Sequence, residues 1–186
     1  MARPRHSHEI LTLRVELTGT SPLVWRRVLV NASSTFEELH EVLQLAMGWE
    51  DYHLHEFRVG DLRIGINDDD DDQVPLTDEA SISLGDVVGV GGHFVYEYDL
   101  GDDWEHDIEV EASEKVPRAL TRPVCVAGER ACPLEDSGGV SGYEEFLLVL
   151  SDPDHNRHTE FVRWANGFDP TTFHLAAINV SLQRPR

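Results

Sequence analysis

The chain has 186 residues, enough for one domain with a sizeable core, and its 40% apolar content points to a folded globule rather than a disordered chain. Thirty-five acidic residues against fifteen basic ones give a formal charge of −20, which argues against direct nucleic-acid binding, because counterion release needs clustered cations. A basic protein surface, a small-molecule ligand or a metal ion is a better-matched partner.

No apolar run approaches a membrane span, and the start MARPRHSHEI lacks the apolar centre of a secretory signal, so a cytoplasmic protein without a membrane anchor is expected. Two cysteines, Cys125 and Cys132, are too few for a disulfide framework and read as thiols or metal ligands. Of the basic residues only Lys115 is a lysine, which identifies no function.

Residues 1–8 read as a flexible amino-terminal arm, and residues 9–184 as a single domain. Leu11, Leu13, Val15 and Leu17 alternate with polar residues as in a half-buried strand, and Val24 to Val30 returns as a second strand after the Gly19–Pro22 turn. Ser34 with Glu37, or Thr35 with Glu38, is a capping box. It opens a helix whose Phe36, Leu39, Val42, Leu43 and Ala46 share one face, with Gly48 marking its end. Leu54 to Val59 and Leu62 to Ile66 form a hairpin turned at Gly60-Asp61. The aspartate run after Asn67 lacks the glycine and distal glutamate of a calcium loop and reads as a solvated loop. Leu84 to Val88 is a short apolar segment leading through glycines into the next strands.

The stretch from His93 to Glu111 is a second hairpin, with Phe94, Tyr96 and Tyr98 alternating before its turn and Ile108 and Val110 after it. Asp99, Asp102, Asp103, Trp104 and His106 crowd around that turn. Turn chemistry accounts for Gly101 and some of the aspartates, but it requires neither the tryptophan nor the histidine. Residues from Cys125 to Gly139 read as a long irregular segment that folds over this hairpin; loops of that length are usually functional or pinned. Tyr143 to Leu150 is helical. Asp152-Pro153 and Asp169-Pro170 each supply a cap and a first-turn proline for two further helices. The fold class is therefore α+β: a mixed or antiparallel sheet with one packed amphipathic helix and a helical carboxy-terminal part.

From about Leu11 to Ile178 the chain resembles the plasmid pRiA4b ORF-3-like family. The resemblance is carried by Trp25-Arg26, Phe36 to His40, Met47-Gly48-Trp49, His53-Leu54-His55-Glu56-Phe57 and the run from Tyr98 to His106. It continues through Cys125, Gly128, Cys132-Pro133-Leu134-Glu135-Asp136, Gly138-Gly139, Gly142-Tyr143 and Phe168-Asp169-Pro170. Leu100 stands where the family pattern has phenylalanine, and Leu134 where a second proline is usual; neither departure touches a polar group. The resemblance implies an α+β fold with a helix on a mixed sheet and an association with plasmids and mobile elements, but no particular reaction. A resolvase label used in the family gains no support, since the chain has neither a basic recognition helix nor a recognisable serine-nucleophile motif.

Three uses of these residues follow. Cys125 and Cys132, with His106 or another donor, are candidate ligands for a divalent metal such as zinc; His155 and His158 offer further nitrogens. The plain alternative is two buried thiols. Asp102, Asp103 and His106 are candidate catalytic groups of a metal-dependent hydrolase acting on a phosphoester or similar bond, in which a bound water becomes the nucleophile. Those carboxylates could instead pin loops through Arg26, Arg27 or Arg130. The third use is binding without catalysis. A composite pocket of His53, His55, Asp99, Trp104, Glu135, Asp136 and Tyr143, with the four tryptophans as an aromatic surface, would take a protein or small-molecule partner. This binding or accessory role is the leading expectation and the hydrolase the alternative.

Overall fold

A computed structural model describes residues 7–66 and 76–184. Residues 1–6 of the expected arm and the aspartate run lie outside the described residues, while His8, the last residue of that arm, already begins the first strand. The alternating sequences pair into one eight-stranded sheet of order β5-β4-β3-β6-β7-β1-β2-β8. The strands are β1 (His8–Leu17), β2 (Val24–Asn31), β3 (His55–Val59), β4 (Leu62–Gly65), β5 (Thr77–Asp78), β6 (His93–Tyr98), β7 (Trp104–Val116) and β8 (Val124–Glu129). Neighbours are antiparallel except β4 and β5, so the sheet is mixed.

Strand parity decides what each face becomes. Leu11, Leu13, Val15 and Leu17 of β1 point to the core together with Val24, Val28 and Val30 of β2, Tyr96 and Tyr98 of β6, and Ile108 and Val110 of β7. The opposite face is ionic: Arg27 pairs with Glu111, Arg58 with Glu97 and Glu105, and Arg63 with Glu56. On that face Arg14 and Arg27 also flank the Trp25 ring, at 4.2 and 5.3 Å from its centroid.

The core face is covered by α1 (Phe36–Met47). Of the two possible capping boxes the chain uses Thr35 with Glu38, and Gly48 ends the helix in the left-handed region at φ 91°. Phe36, Leu39, Leu43 and Ala46 are buried against the sheet as their spacing requires. A single turn, α2 (Leu84–Val87), follows, and then α3 (Gly139–Ser151), α4 (His158–Ala165) and α5 (Leu175–Leu182) complete the α+β domain.

Two expected boundaries move. The segment after Pro123 is not wholly irregular: Val124 to Glu129 forms β8 on the free edge of β2. Its own outer edge is met by α5, where Asn179 accepts from Cys125 N at 3.0 Å and donates to Cys125 O at 2.8 Å. Burial on one side and an edge partner 54 residues away are invisible locally. The two Asp-Pro pairs open turns rather than helices. Asp152 accepts from Asp154 N at 3.1 Å and Asp169 from Thr171 N at 2.8 Å, so each carboxylate closes its own turn two residues on, and the helices begin later.

Candidate functional site

At the end of the sheet where β6 turns into β7, three segments meet around His53. The turn is built on Asp99, which sits at φ 57° and accepts through Oδ1 from Gly101 N at 3.0 Å and Asp102 N at 3.3 Å. Its Oδ2 is left facing His53 Nε2 at 3.5 Å. The segment after Cys132 folds over the turn. Trp49 donates its indole N–H to Pro133 O at 2.9 Å, and Asp102 accepts from Gly138 N at 2.9 Å. Close backbone approach explains the glycines: a Cβ on Gly139 would stand 2.4 Å from Asp102 O, and one on Gly142 1.9 Å from Ser137 O.

This docking brings Asp136 Oδ1 to 3.1 Å and Glu135 Oε2 to 4.0 Å from His53 Nε2. None of these contacts is aligned as a hydrogen bond, and His53 Nε2 is buried without a hydrogen-bond partner. One imidazole nitrogen thus points among three carboxylates. The ligand atoms of His53, Asp99 and Asp136 lie within 4.8 Å of one another, a donor set of one nitrogen and two oxygens that a divalent cation would satisfy. Glu135 is held beside them: its Oε1 accepts from Glu50 N at 2.8 Å and from the Tyr98 hydroxyl at 3.2 Å. Tyr98 also accepts from Tyr52 N at 3.0 Å, and burial raises its pKa above the ordinary phenol value. Asp136 is at φ 56° and its side chain is 73% exposed, so the cluster opens to solvent on that side.

The other expected site residues have different places. Asp102 fastens Gly138, and Asp103 is exposed at φ 52°. Strand parity turns Trp104 and His106 inward, leaving both buried. His106 Nδ1 lies 3.2 Å from Tyr96 O and 3.1 Å from Trp104 O, and complete burial lowers its pKa to about 4. Among the described residues it meets no carboxylate. Tyr143 is also buried, with its hydroxyl unbonded and its pKa raised to about 12 by burial.

Cys125 and Cys132 are buried free thiols, and burial raises both pKa values, that of Cys132 to about 12. Among the described residues, the groups of three donors close enough to share an ion contain neither cysteine nor His106. His155 and His158 are used locally, the first accepting from Arg157 N at 3.2 Å and the second lying 2.9 Å from Val149 O. The arginines do not hold the hairpin aspartates either, since Arg27 takes Glu111 and Arg26 takes backbone carbonyls.

His55 belongs to a second group that sequence reasoning only half saw. Its ring stacks on His40 at 3.5 Å between centroids, and Glu79 and Asp51 complete the group. His40 looked like one more position on α1, and Glu79 stood beyond the acidic loop. A histidine on an otherwise apolar helix face was the available signal.

A helix-covered mixed sheet with a His/Asp/Glu cluster at one end defines the class: an α+β domain with a candidate cation site. The chain belongs to the plasmid pRiA4b ORF-3-like family, whose model matches residues 9–177. It is 40% identical over 175 residues to the uncharacterized protein y4hQ of Sinorhizobium fredii, spanning 92% of this chain and 87% of that one. It is also similar to the crystal structure of a protein of unknown function, MM3350, from Methanosarcina mazei Go1. That likeness has a TM-score of 0.83 and 36% identity, and covers 90% of this chain and 96% of the other.

Proposed function

We propose that this chain is a binding or accessory module whose site holds a divalent cation through His53, Asp99 and Asp136, with Glu135 as a further oxygen donor. The observation that carries the reading is His53 Nε2, buried and without a hydrogen bond while carboxylate oxygens stand 3.1, 3.5 and 4.0 Å away. Buried polar atoms normally have partners, and an ion would supply one to all four groups at once. One imidazole with carboxylates suits a borderline ion such as zinc or manganese. The family description as a plasmid open reading frame supports a role linked to mobile elements.

The runner-up is a metal-dependent hydrolase of a phosphoester or similar bond. The exposed side of Asp136 favours it, because a cation reachable from solvent keeps a position for an activated water. Calorimetric titration of the tag-free protein with Zn²⁺ and Mn²⁺, beside elemental mass spectrometry, tests the cation site. One equivalent is expected for the native chain and none for the His53→Gln, Asp136→Asn double variant. Equal uptake by both proteins rules the site out, and metal-dependent turnover of a chromogenic phosphodiester would promote the hydrolase.

A further inference from the structure

Among the described residues, the core face of the sheet carries one arginine charge that no carboxylate answers. Parity on β2 turns Arg26 inward, where it is only 3% exposed. It donates Nε to Ala46 O at 2.9 Å and Nη1 to Trp25 O at 2.8 Å and Glu129 O at 3.0 Å. The Ala46 carbonyl belongs to the last turn of α1, so the negative end of that helix offsets part of the charge. Nη2 has no hydrogen-bond partner among the described residues. Elsewhere Arg14, Arg27, Arg58, Arg63 and Arg157 each meet a carboxylate, as a chain with a −20 balance readily allows. Leaving the buried guanidinium without one is costly. Burial lowers its pKa from the usual arginine value.

Arg26 forms part of the wall of an open cavity of about 700 Å³, a volume typical of small-ligand sites. Arg130 and His174 line the same cavity, and Arg130 makes no ion pair among the described residues. Trp49, Phe168 and Phe173 supply aromatic wall, and the Arg26 guanidinium lies 5.0 Å from the Phe173 ring centroid. Of the carboxylates that line it, Glu135 accepts from Glu50 N at 2.8 Å and Glu50 accepts from the Tyr52 hydroxyl, and both belong to the His53 end. Asp169 acts on Arg130 and His174 from nearby, but its Oδ1 is taken up by Thr171.

We propose that this cavity binds a small organic oxyanion, with a planar apolar body on the aromatic wall and a phosphate or carboxylate head drawn by Arg26 and Arg130. Planar guanidinium forks suit both heads, and the apolar body distinguishes the ligand from a free inorganic ion. The cavity shares Glu135 with the cation site but does not require that site to be filled.

The test is calorimetric titration of the full tag-free chain with phenyl phosphate and with benzoate, using phenol and inorganic phosphate as controls. Because Arg26 also holds the end of α1, the informative variant is Arg130→Gln. At least one aromatic anion is expected to bind at one equivalent, and more tightly than either control. Arg130→Gln should weaken it about tenfold, the worth of one charged hydrogen bond. Binding of phenyl phosphate alone assigns a phosphate head, and of benzoate alone a carboxylate head. Phe173→Leu should weaken the aromatic anions while leaving inorganic phosphate unchanged. The proposal is overturned if neither anion binds, if phenol binds equally well, or if Arg130→Gln binds undiminished. Loss of binding in His53→Gln would also overturn it, by moving the anion to the cation site.

Discussion

Two histidine clusters flank the Tyr96–Tyr98 edge of the core, and they differ in how their nitrogens are used. His40 and His55 stack within 5° of parallel. His40 Nε2 lies 2.8 Å from Asp51 and its Nδ1 2.8 Å from the Tyr96 hydroxyl, which also receives Gln44 Nε2 at 2.9 Å. His55 Nε2 lies 2.7 Å from Glu79. Their donor atoms are as close together as those of His53, Asp99 and Asp136. Proximity therefore does not separate the clusters, whereas the hydrogen-bond accounting does. The first is a bonded network that runs from the core out to the exposed Asp51, and the second leaves a nitrogen among carboxylates without a bond. A satisfied buried network holds a fold together, whereas a buried polar atom without a bond calls for a partner.

The largest expected effect breaks the bonded cluster. His40→Ala removes a stacked ring together with its contacts to the Tyr96 hydroxyl and Asp51, so unfolding free energy in urea should fall by about 4 kcal/mol, with cation uptake at His53 unchanged in the folded protein. Loss of cation uptake instead would show the two clusters to be one site.

A second effect comes from His106, which lies in neither cluster. Burial holds its folded pKa at about 4, below the ordinary imidazole value of 6.5. Between these pH values the unfolded chain binds the proton and the folded chain does not, so the stability is fully present above about pH 6.5 and is lost as pH falls toward 4. The loss is on the order of 3 kcal/mol. His106→Met should flatten that part of a stability-versus-pH curve, and an unchanged slope would place the acid sensitivity in the histidine clusters.

The open cluster should respond in the opposite sense to the bonded one. Zn²⁺ or Mn²⁺ at a hundred times its dissociation constant should stabilise the protein by about 2.7 kcal/mol, and Asp136→Asn should abolish the gain without lowering the metal-free stability. A metal-free loss of stability in that variant would make the open cluster another structural one. The smallest effect calibrates the others: Thr35→Ala removes one arm of the α1 capping box and should cost about 1 kcal/mol by thermal melting, with no change in cation uptake.

The sequence by itself determined the strands and the first helix. Period-two alternation in β1, β6 and β7 and period-3.6 spacing in α1 are each satisfied by burial on one side, and local capping chemistry at Thr35 and Gly48 marks the helix ends. The same parity rule placed Trp104 and His106 on the inward face, a consequence hidden by the acidic residues that surround them in sequence. The crowding around the hairpin turn was legible as composition, and His53, Asp99, Glu135 and Asp136 were all among the residues singled out.

Only the tertiary structure decided which of those charges meet. Gly139 and Gly142 let backbone approach backbone, and that approach carries Asp136 across to His53; His55, two residues on, is instead committed to Glu79. The β8 edge and the unanswered charge of Arg26 likewise depend on partners twenty to more than a hundred residues away. Local pattern records how each segment folds, because caps and periodicity act within a few residues. Convergence of charges depends on how the folded segments pack.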